Sequence, residues 1–132
     1  MRSMTSTGRP PVSSARYSVT TEVHADYIVL ILAGVIDMAS APHVADEVGA
    51  ALRSRPRLLI FDLSAVTFLA TTGMSILIEA NRRCHELSLD CRVVAHGRVT
   101  LRPMQQLGID HMLQLYESID LAISDRARPT ET

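Results

Sequence analysis

The sequence contains no lysine, and all 13 of its basic residues are arginine. This absence excludes chemistry that depends on a lysine amine, namely a Schiff base with a carbonyl substrate and the phosphate-binding lysine of a P-loop. The glycine-rich spacing of a P-loop is also missing. Enzymes that handle carbonyl or phosphate groups in these ways are therefore excluded.

Tryptophan is absent and aromatic residues make up only 4% of the chain, while the formal net charge is −1. A nucleic-acid-binding protein needs a basic surface, and a single-strand binder also needs aromatic rings on which bases stack. The composition supplies neither feature. We therefore expect no nucleic-acid partner.

Metal-binding patterns are also missing. Cys84 and Cys91 are seven residues apart with no second pair nearby, which does not suit a zinc site. The histidines fall in no metal-binding motif; they are His24, His43, His85, His96 and His111. We expect no metal and no bound cofactor, and two reduced thiols packed in the core, with a redox switch as the alternative.

Long apolar runs are lacking too. The longest, Tyr27 to Val35, is far too short to cross a bilayer, and the N-terminus has no continuous apolar stretch of a secretory signal. A length of 132 residues suits one domain. We expect a cytoplasmic protein whose polar residues 1–15 form a disordered tail.

The most informative stretch runs from Leu58 to Ser88. Its four leading apolar residues predict a strand that is covered on both faces and ends at Asp62. A polar loop is expected next, and then an amphipathic helix that begins at Thr71-Thr72-Gly73. The start of such a helix carries free N–H groups and partial positive charge, so it favours a hydroxyl or an anion.

The rest of the chain alternates between strand and helix patterns. Strands are predicted at 17–23, 27–33, 91–95 and 112–116, and helices at 42–54, at 99–107 and after Ser118. This order predicts an α/β fold, a mixed and mostly parallel sheet of four to five strands with helices packed on it. The loops at Asp37 and Thr71 then follow neighbouring strand ends, where such sheets place their sites.

Each candidate residue also has a structural interpretation. From the pattern alone, Thr71 or Thr72 is an N-cap, Asp37 caps a turn, and Asp62 holds the adjacent backbone by hydrogen bonds. Met74 is either a core residue or an apolar knob for a partner.

The stretch Phe61-Asp-Leu-Ser-Ala-Val-Thr-Phe-Leu-Ala-Thr-Thr-Gly-Met74 resembles the pattern D-L-S-x-V-x-F-x-D-S-S/T-G-L/M-G of the STAS domain of anti-sigma factor antagonists. Further similarities to this family lie at Leu32–Asp37 with Ala41-Pro42, and at Leu107–Asp110. The resemblance covers 17–127. It implies a STAS fold over residues 16–127 and a second tail at 128–132.

The resemblance also implies a function that is not enzymatic. An unphosphorylated antagonist binds an anti-sigma factor that is a serine/threonine kinase and frees its sigma factor; the kinase then uses its own ATP to phosphorylate the antagonist. The acceptor position here is Thr71, with Thr72 beside it. The implied partner-binding residues are Asp37, Ala70, Thr71, Thr72, Gly73, Met74 and Ser75.

Three positions depart from the family pattern. Ala70 replaces the turn aspartate, Thr71 replaces serine, and Ser75 stands where glycine is common. The alternative within the fold is therefore a STAS scaffold or transport-accessory module that docks a different protein without phosphorylation. An alternative of another class is a small α/β enzyme or anion-binding domain that uses the Thr71 helix start, although no nucleophile, base and acid are grouped there.

Overall fold

The computed structural model describes residues 12–13 and 16–125. The strands are β1 (Val12–Ser13), β2 (Tyr17–Val23), β3 (Tyr27–Ile36), β4 (Leu58–Leu69), β5 (Asp90–Val94) and β6 (Leu115–Tyr116). The helices are α1 (Ala41–Arg53), α2 (Thr71–Glu86), α3 (Leu101–Gln106) and α4 (Ile119–Ser124), with a short 3₁₀ helix at Ile109–Met112.

The six strands form one sheet in which each strand lies next to its neighbours in the chain. β1, β2 and β3 pair antiparallel, whereas β3, β4, β5 and β6 pair parallel. The predicted mixed, mostly parallel sheet with packed helices is therefore confirmed. β1 was missed and lies inside the segment that was expected to be a tail. Residues 1–11, 14–15 and 128–132 of the two expected tails lie outside the described residues.

The two faces of the sheet are covered unequally. The face under α1, α2 and α3, here called the thick face, contains the main core, which includes Leu30, Phe61 and Leu77. The opposite face, here called the thin face, is covered by α4, whose Ala122 packs with Val29, Ile60 and Val94. α1 begins one residue earlier than predicted, and it also buries Glu47, whose carboxylate accepts a hydrogen bond from Thr21.

The prediction that the central strand ends at Asp62 before a polar loop was wrong. β4 continues to Leu69, and the β3–β4 register shifts between Ile31 and Ala33 and again between Gly34 and Val35. Each shift is a β-bulge that places one additional β4 residue opposite β3. The bulges break the regular alternation of apolar residues, which is why the pattern resembled a loop.

Two later elements are shorter than predicted. α3 begins only at Leu101. The Thr100 hydroxyl accepts a hydrogen bond from the N–H of His96 and donates one to the carbonyl of His96, which closes a turn before the helix. The strand predicted at 112–116 is reduced to Leu115–Tyr116, because the 3₁₀ helix occupies the residues up to Met112. The last helix is capped as expected, with the Ser118 hydroxyl accepting a hydrogen bond from the N–H of Leu121 at 3.2 Å.

Candidate functional site

The carboxyl ends of β3 and β4 bring the two predicted site loops together. Ile36 and Leu69 are paired in register at the end of the ladder. One residue further, the N–H of Ala70 donates a hydrogen bond to the carbonyl of Ile36 at 2.9 Å. Asp37 follows Ile36 in the chain, and Thr71 follows Ala70. The two loops therefore lie side by side, as predicted.

Thr71 is the first residue of α2 and is exposed. The N-cap interpretation of Thr71 was wrong, because Ala70 occupies the N-cap position and its methyl side chain cannot cap. The Thr71 carbonyl accepts a hydrogen bond from the exposed Ser75 hydroxyl at 3.0 Å, one turn later. An accessible hydroxyl thus lies where the free N–H groups of the helix give partial positive charge.

Thr72 differs from its neighbour in the position of its hydroxyl. Its Oγ1 is buried and has no hydrogen-bond partner among the described residues. Leaving a buried hydroxyl unpaired costs about 1–3 kcal/mol. Of the two adjacent threonines, Thr71 is the one whose hydroxyl a second protein can reach.

Gly73 and Met74 face the core. A Cβ on Gly73 would lie 2.8 Å from Leu69 Cδ1 and 2.9 Å from Ile36 Cγ2, so only glycine fits there without a shift. Met74 is 4% exposed and belongs to the main core. The interpretation of Met74 as an apolar knob for a partner was therefore wrong, and its core interpretation is confirmed.

Asp37 organises the loop before α1. Its carboxylate accepts hydrogen bonds from the N–H groups of Ala39 at 2.9 Å and Ser40 at 3.4 Å, and from the Arg16 guanidinium at 2.9 Å. The hydrogen bond from Arg16, supported by those from the backbone, lowers the pKa of Asp37. The predicted turn-capping role is confirmed, and the carboxylate is paired with Arg16. Asp62 likewise accepts a hydrogen bond from the N–H of Ser64 at 3.0 Å, in its predicted structural role.

Two exposed apolar residues at this end of the sheet were missed. Met38, next to Asp37, is 72% exposed, and Phe68 near the end of β4 is 55% exposed. The sequence carried a signal for Phe68: Leu63, Val66 and Leu69 are spaced by three residues, a spacing that a regular strand cannot bury on one face. No comparable pattern marks Met38.

The two cysteines are neighbours in the core, at the other end of α2. Both are free and buried. Their shared hydrogen bond lowers the pKa of Cys84, whereas that bond and burial raise the pKa of Cys91 well above its usual value. Two packed, unbridged thiols are what the sequence predicted.

Neither a metal site nor a membrane span is found in the described part of the chain. No three histidine, cysteine or acidic side chains there are grouped to hold a metal ion. Its helices also lack the length and apolar character that crossing a bilayer requires.

Comparison with known families agrees with this architecture. The sequence model of the STAS domain family matches residues 18–122, which extend from β2 into α4. The chain belongs to the STAS domain family. This STAS domain is also 33% identical over 107 residues to the anti-sigma-F factor antagonist RsfB of Mycobacterium tuberculosis, covering 81% of this chain and 87% of the relative.

Solved structures extend the similarity to the fold. An anti-sigma factor antagonist from Mycobacterium paratuberculosis superposes with a TM-score of 0.78 at 32% identity, covering 86% of this chain and 97% of that one. The anti-sigma factor antagonist SpoIIAA in its unphosphorylated form superposes with a TM-score of 0.67 at 14% identity, covering 80% and 92% of the two chains. The SpoIIAA similarity concerns the fold alone.

Proposed function

We propose that this STAS domain is an anti-sigma factor antagonist that binds a kinase-type anti-sigma factor and is released when Thr71 is phosphorylated. The observation that carries the proposal is the contrast between two adjacent threonines at the start of α2. Thr71 is exposed, whereas the Thr72 hydroxyl is buried. The similarity to RsfB over most of both chains supports the antagonist part of the proposal.

Electrostatics explains how phosphorylation would release the partner. A phosphate adds about −1.5 to −2 charges. Within the antagonist, the N-terminus of α2 stabilises that charge. The carboxylate of Asp37 is already paired with Arg16, which directly precedes β2, so the added negative charge would be that of the phosphate itself. A partner surface that fits the uncharged hydroxyl then repels the modified protein.

The chemistry in this scheme belongs to the partner. The anti-sigma factor contributes both the kinase site and ATP, so the antagonist needs no catalytic residue and no cofactor of its own. Its tasks are to present the Thr71 hydroxyl and to hold the surrounding surface in a fixed shape. The encounter takes place in the cytoplasm, without nucleic acid or membrane insertion.

Ala70 supports a second candidate function, a STAS scaffold or transport-accessory module that docks a different protein without phosphorylation. Its methyl group offers neither a cap for α2 nor a carboxylate beside the acceptor. In that case Thr71 would be a contact residue only. The same surface would be used in both functions.

Incubation with a kinase-type anti-sigma factor and ATP, followed by intact mass measurement, tests the proposal. We expect one phosphate on the wild-type protein and on Thr67→Ala, which alters another exposed threonine, and none on Thr71→Ala. Thr71→Glu should weaken binding by about tenfold or more, at least as much as Thr71→Ala. A wild type that binds but gains no phosphate would refute the Thr71 switch and leave a constitutive antagonist. Absence of binding would refute the antagonist function and favour the scaffold function.

A further inference from the structure

We infer that the anti-sigma factor also binds an apolar surface made by Val35 and Phe68 on the thin face and by Met38 in the loop after β3, here called the apolar rim. The inference rests on the proposed function and adds to it a second contact region and its chemistry. The apolar rim adjoins the site at both loops: Met38 follows Asp37, and Phe68 precedes Thr71 by three residues.

The bulges in β4 determine the direction of Phe68. The last three buried residues of β4 are Leu63, Val66 and Leu69, so that both Thr67 and Phe68 are exposed. Val35 lies opposite Phe68 in the ladder and immediately precedes buried Ile36. Since successive residues of a strand point to opposite faces, Val35 and Phe68 share the face opposite α2.

No described element covers this part of the thin face. α4 has six residues and is therefore about 9 Å long. β4 has 12 residues and extends for about 40 Å. α4 contacts β5 and β6, and its apolar cluster reaches β3 and β4 at Val29, Ile31, Leu58 and Ile60, in the first half of each strand. Residues 12–13 and 16–125 therefore leave the end of the sheet that carries Phe68 open.

The position of the apolar rim identifies its occupant. A kinase that transfers phosphate to Thr71 has to enclose the start of α2. Met38 lies in the loop after β3, and Phe68 lies in β4 two residues before Ala70, the N-cap of α2. Aromatic and methionine side chains are enriched at the centres of protein interfaces, where they fill pockets on the partner. The partner surface should therefore contain an apolar pocket for Phe68 beside its phosphate-transfer site.

Affinity measurements with polar substitutions test this inference. Phe68→Asn should weaken binding of the unphosphorylated protein to the anti-sigma factor by about tenfold or more in titration calorimetry, and Met38→Gln by about threefold. Slower phosphorylation of Thr71 at low protein concentration should accompany both changes. Leu107→Gln is the matched control, because Leu107 is 57% exposed but follows α3, and its affinity should equal that of the wild type.

The outcomes separate the two proposals. If the wild type does not bind the anti-sigma factor, the proposed function and this inference both fail. If the wild type binds and both rim variants keep its affinity, only the inference fails. A wild-type dimer in sedimentation that Phe68→Asn dissociates would assign the apolar rim to a second copy of the chain and also overturn the inference. If Phe68→Asn does not show a wild-type thermal transition, Met38→Gln alone decides, because Met38 lies in an exposed loop.

Discussion

The thick and thin faces of the sheet differ in how closely they are packed and in how much apolar surface they leave exposed. On the thick face, α2 packs so closely that Gly73 has no room for a methyl group. On the thin face, one short helix covers the amino-terminal half of the central strands and leaves Phe68 exposed. The packing that fixes Thr71 in place therefore lies on one face, and the free surface beside it lies on the other.

The thin face adds a buried cation to its small apolar cluster. Arg92 on β5 is 1% exposed and donates hydrogen bonds to the carbonyls of Ala122 at 2.7 Å and Asp125 at 2.8 Å. It also pairs with Asp90 at 2.9 Å and lies over the ring of Tyr116. One arginine thus holds the end of α4 against the sheet.

The largest expected effect comes from removing that arginine. Arg92→Met should lower the free energy of unfolding by about 3 kcal/mol, because the buried carbonyl of Ala122, the part-buried carbonyl of Asp125 and the Asp90 carboxylate lose their donor. Amide protons of α4 should lose hydrogen-exchange protection while those of α2 keep it. Arg82→Met removes only exposed ion pairs with Glu79 and Glu86 and should leave stability near the wild-type value. Equal loss of protection in both helices would contradict the division between the faces.

A smaller effect tests the close packing of the thick face. Alanine favours a helix over glycine by about 1 kcal/mol, whereas overpacking costs about 1–3 kcal/mol, so Gly73→Ala should destabilise the protein by about 1 kcal/mol. Gly49→Ala on α1 is the matched control, because its Cβ meets nothing nearer than Arg53 Nη1 at 3.7 Å. Gly49→Ala should therefore stabilise the protein. Chemical denaturation measures both, and stabilisation by Gly73→Ala would show that the site is not tightly packed.

The smallest effect concerns Asp37 and depends on pH. Because the pKa of Asp37 is lowered in the folded state, chiefly by the hydrogen bond from Arg16, the stabilisation is present above the usual carboxyl value of 3.8 and is lost as pH falls through the lower folded value. Wild type should be slightly more stable than Asp37→Asn at neutral pH, and the difference should shrink as pH falls below 3.8 and vanish only below the lowered folded pKa. A difference in thermal midpoint that is constant with pH would contradict the ion pair.

The sequence predicted correctly those strands and helices whose apolar residues follow a regular period. Runs such as Leu58–Phe61 and the helical spacing of Leu77, Ala80 and Cys84 predicted their elements correctly, because burial on one face imposes a period. The strand beyond Asp62 was missed, because two bulges replace the period of two by a period of three. The juxtaposition of the loops at Asp37 and Thr71 was also predicted correctly, because both follow the carboxyl ends of neighbouring strands.

The orientation of individual site residues was harder to predict. The sequence did not decide between core and partner contact for Met74, nor show that the Thr72 hydroxyl is buried, because the first turn of α2 packs against Leu69 and Ile36, which only the tertiary contacts determine. Met38 carries no periodic signal at all. Exposure of a single loop residue depends on what the rest of the chain leaves uncovered.

The order of the strands in the sheet has a consequence for assembly of the domain. Because β1 to β6 are adjacent in the same order in which they occur in the chain, each new strand joins an edge that already exists. β3, β4 and α2, which carry the site, are all complete at Glu86, before β5 begins. As the chain emerges from the ribosome, β3, β4 and α2 can therefore assemble the surface around Thr71 first. The strands that α4 contacts, β5 and β6, are synthesised later.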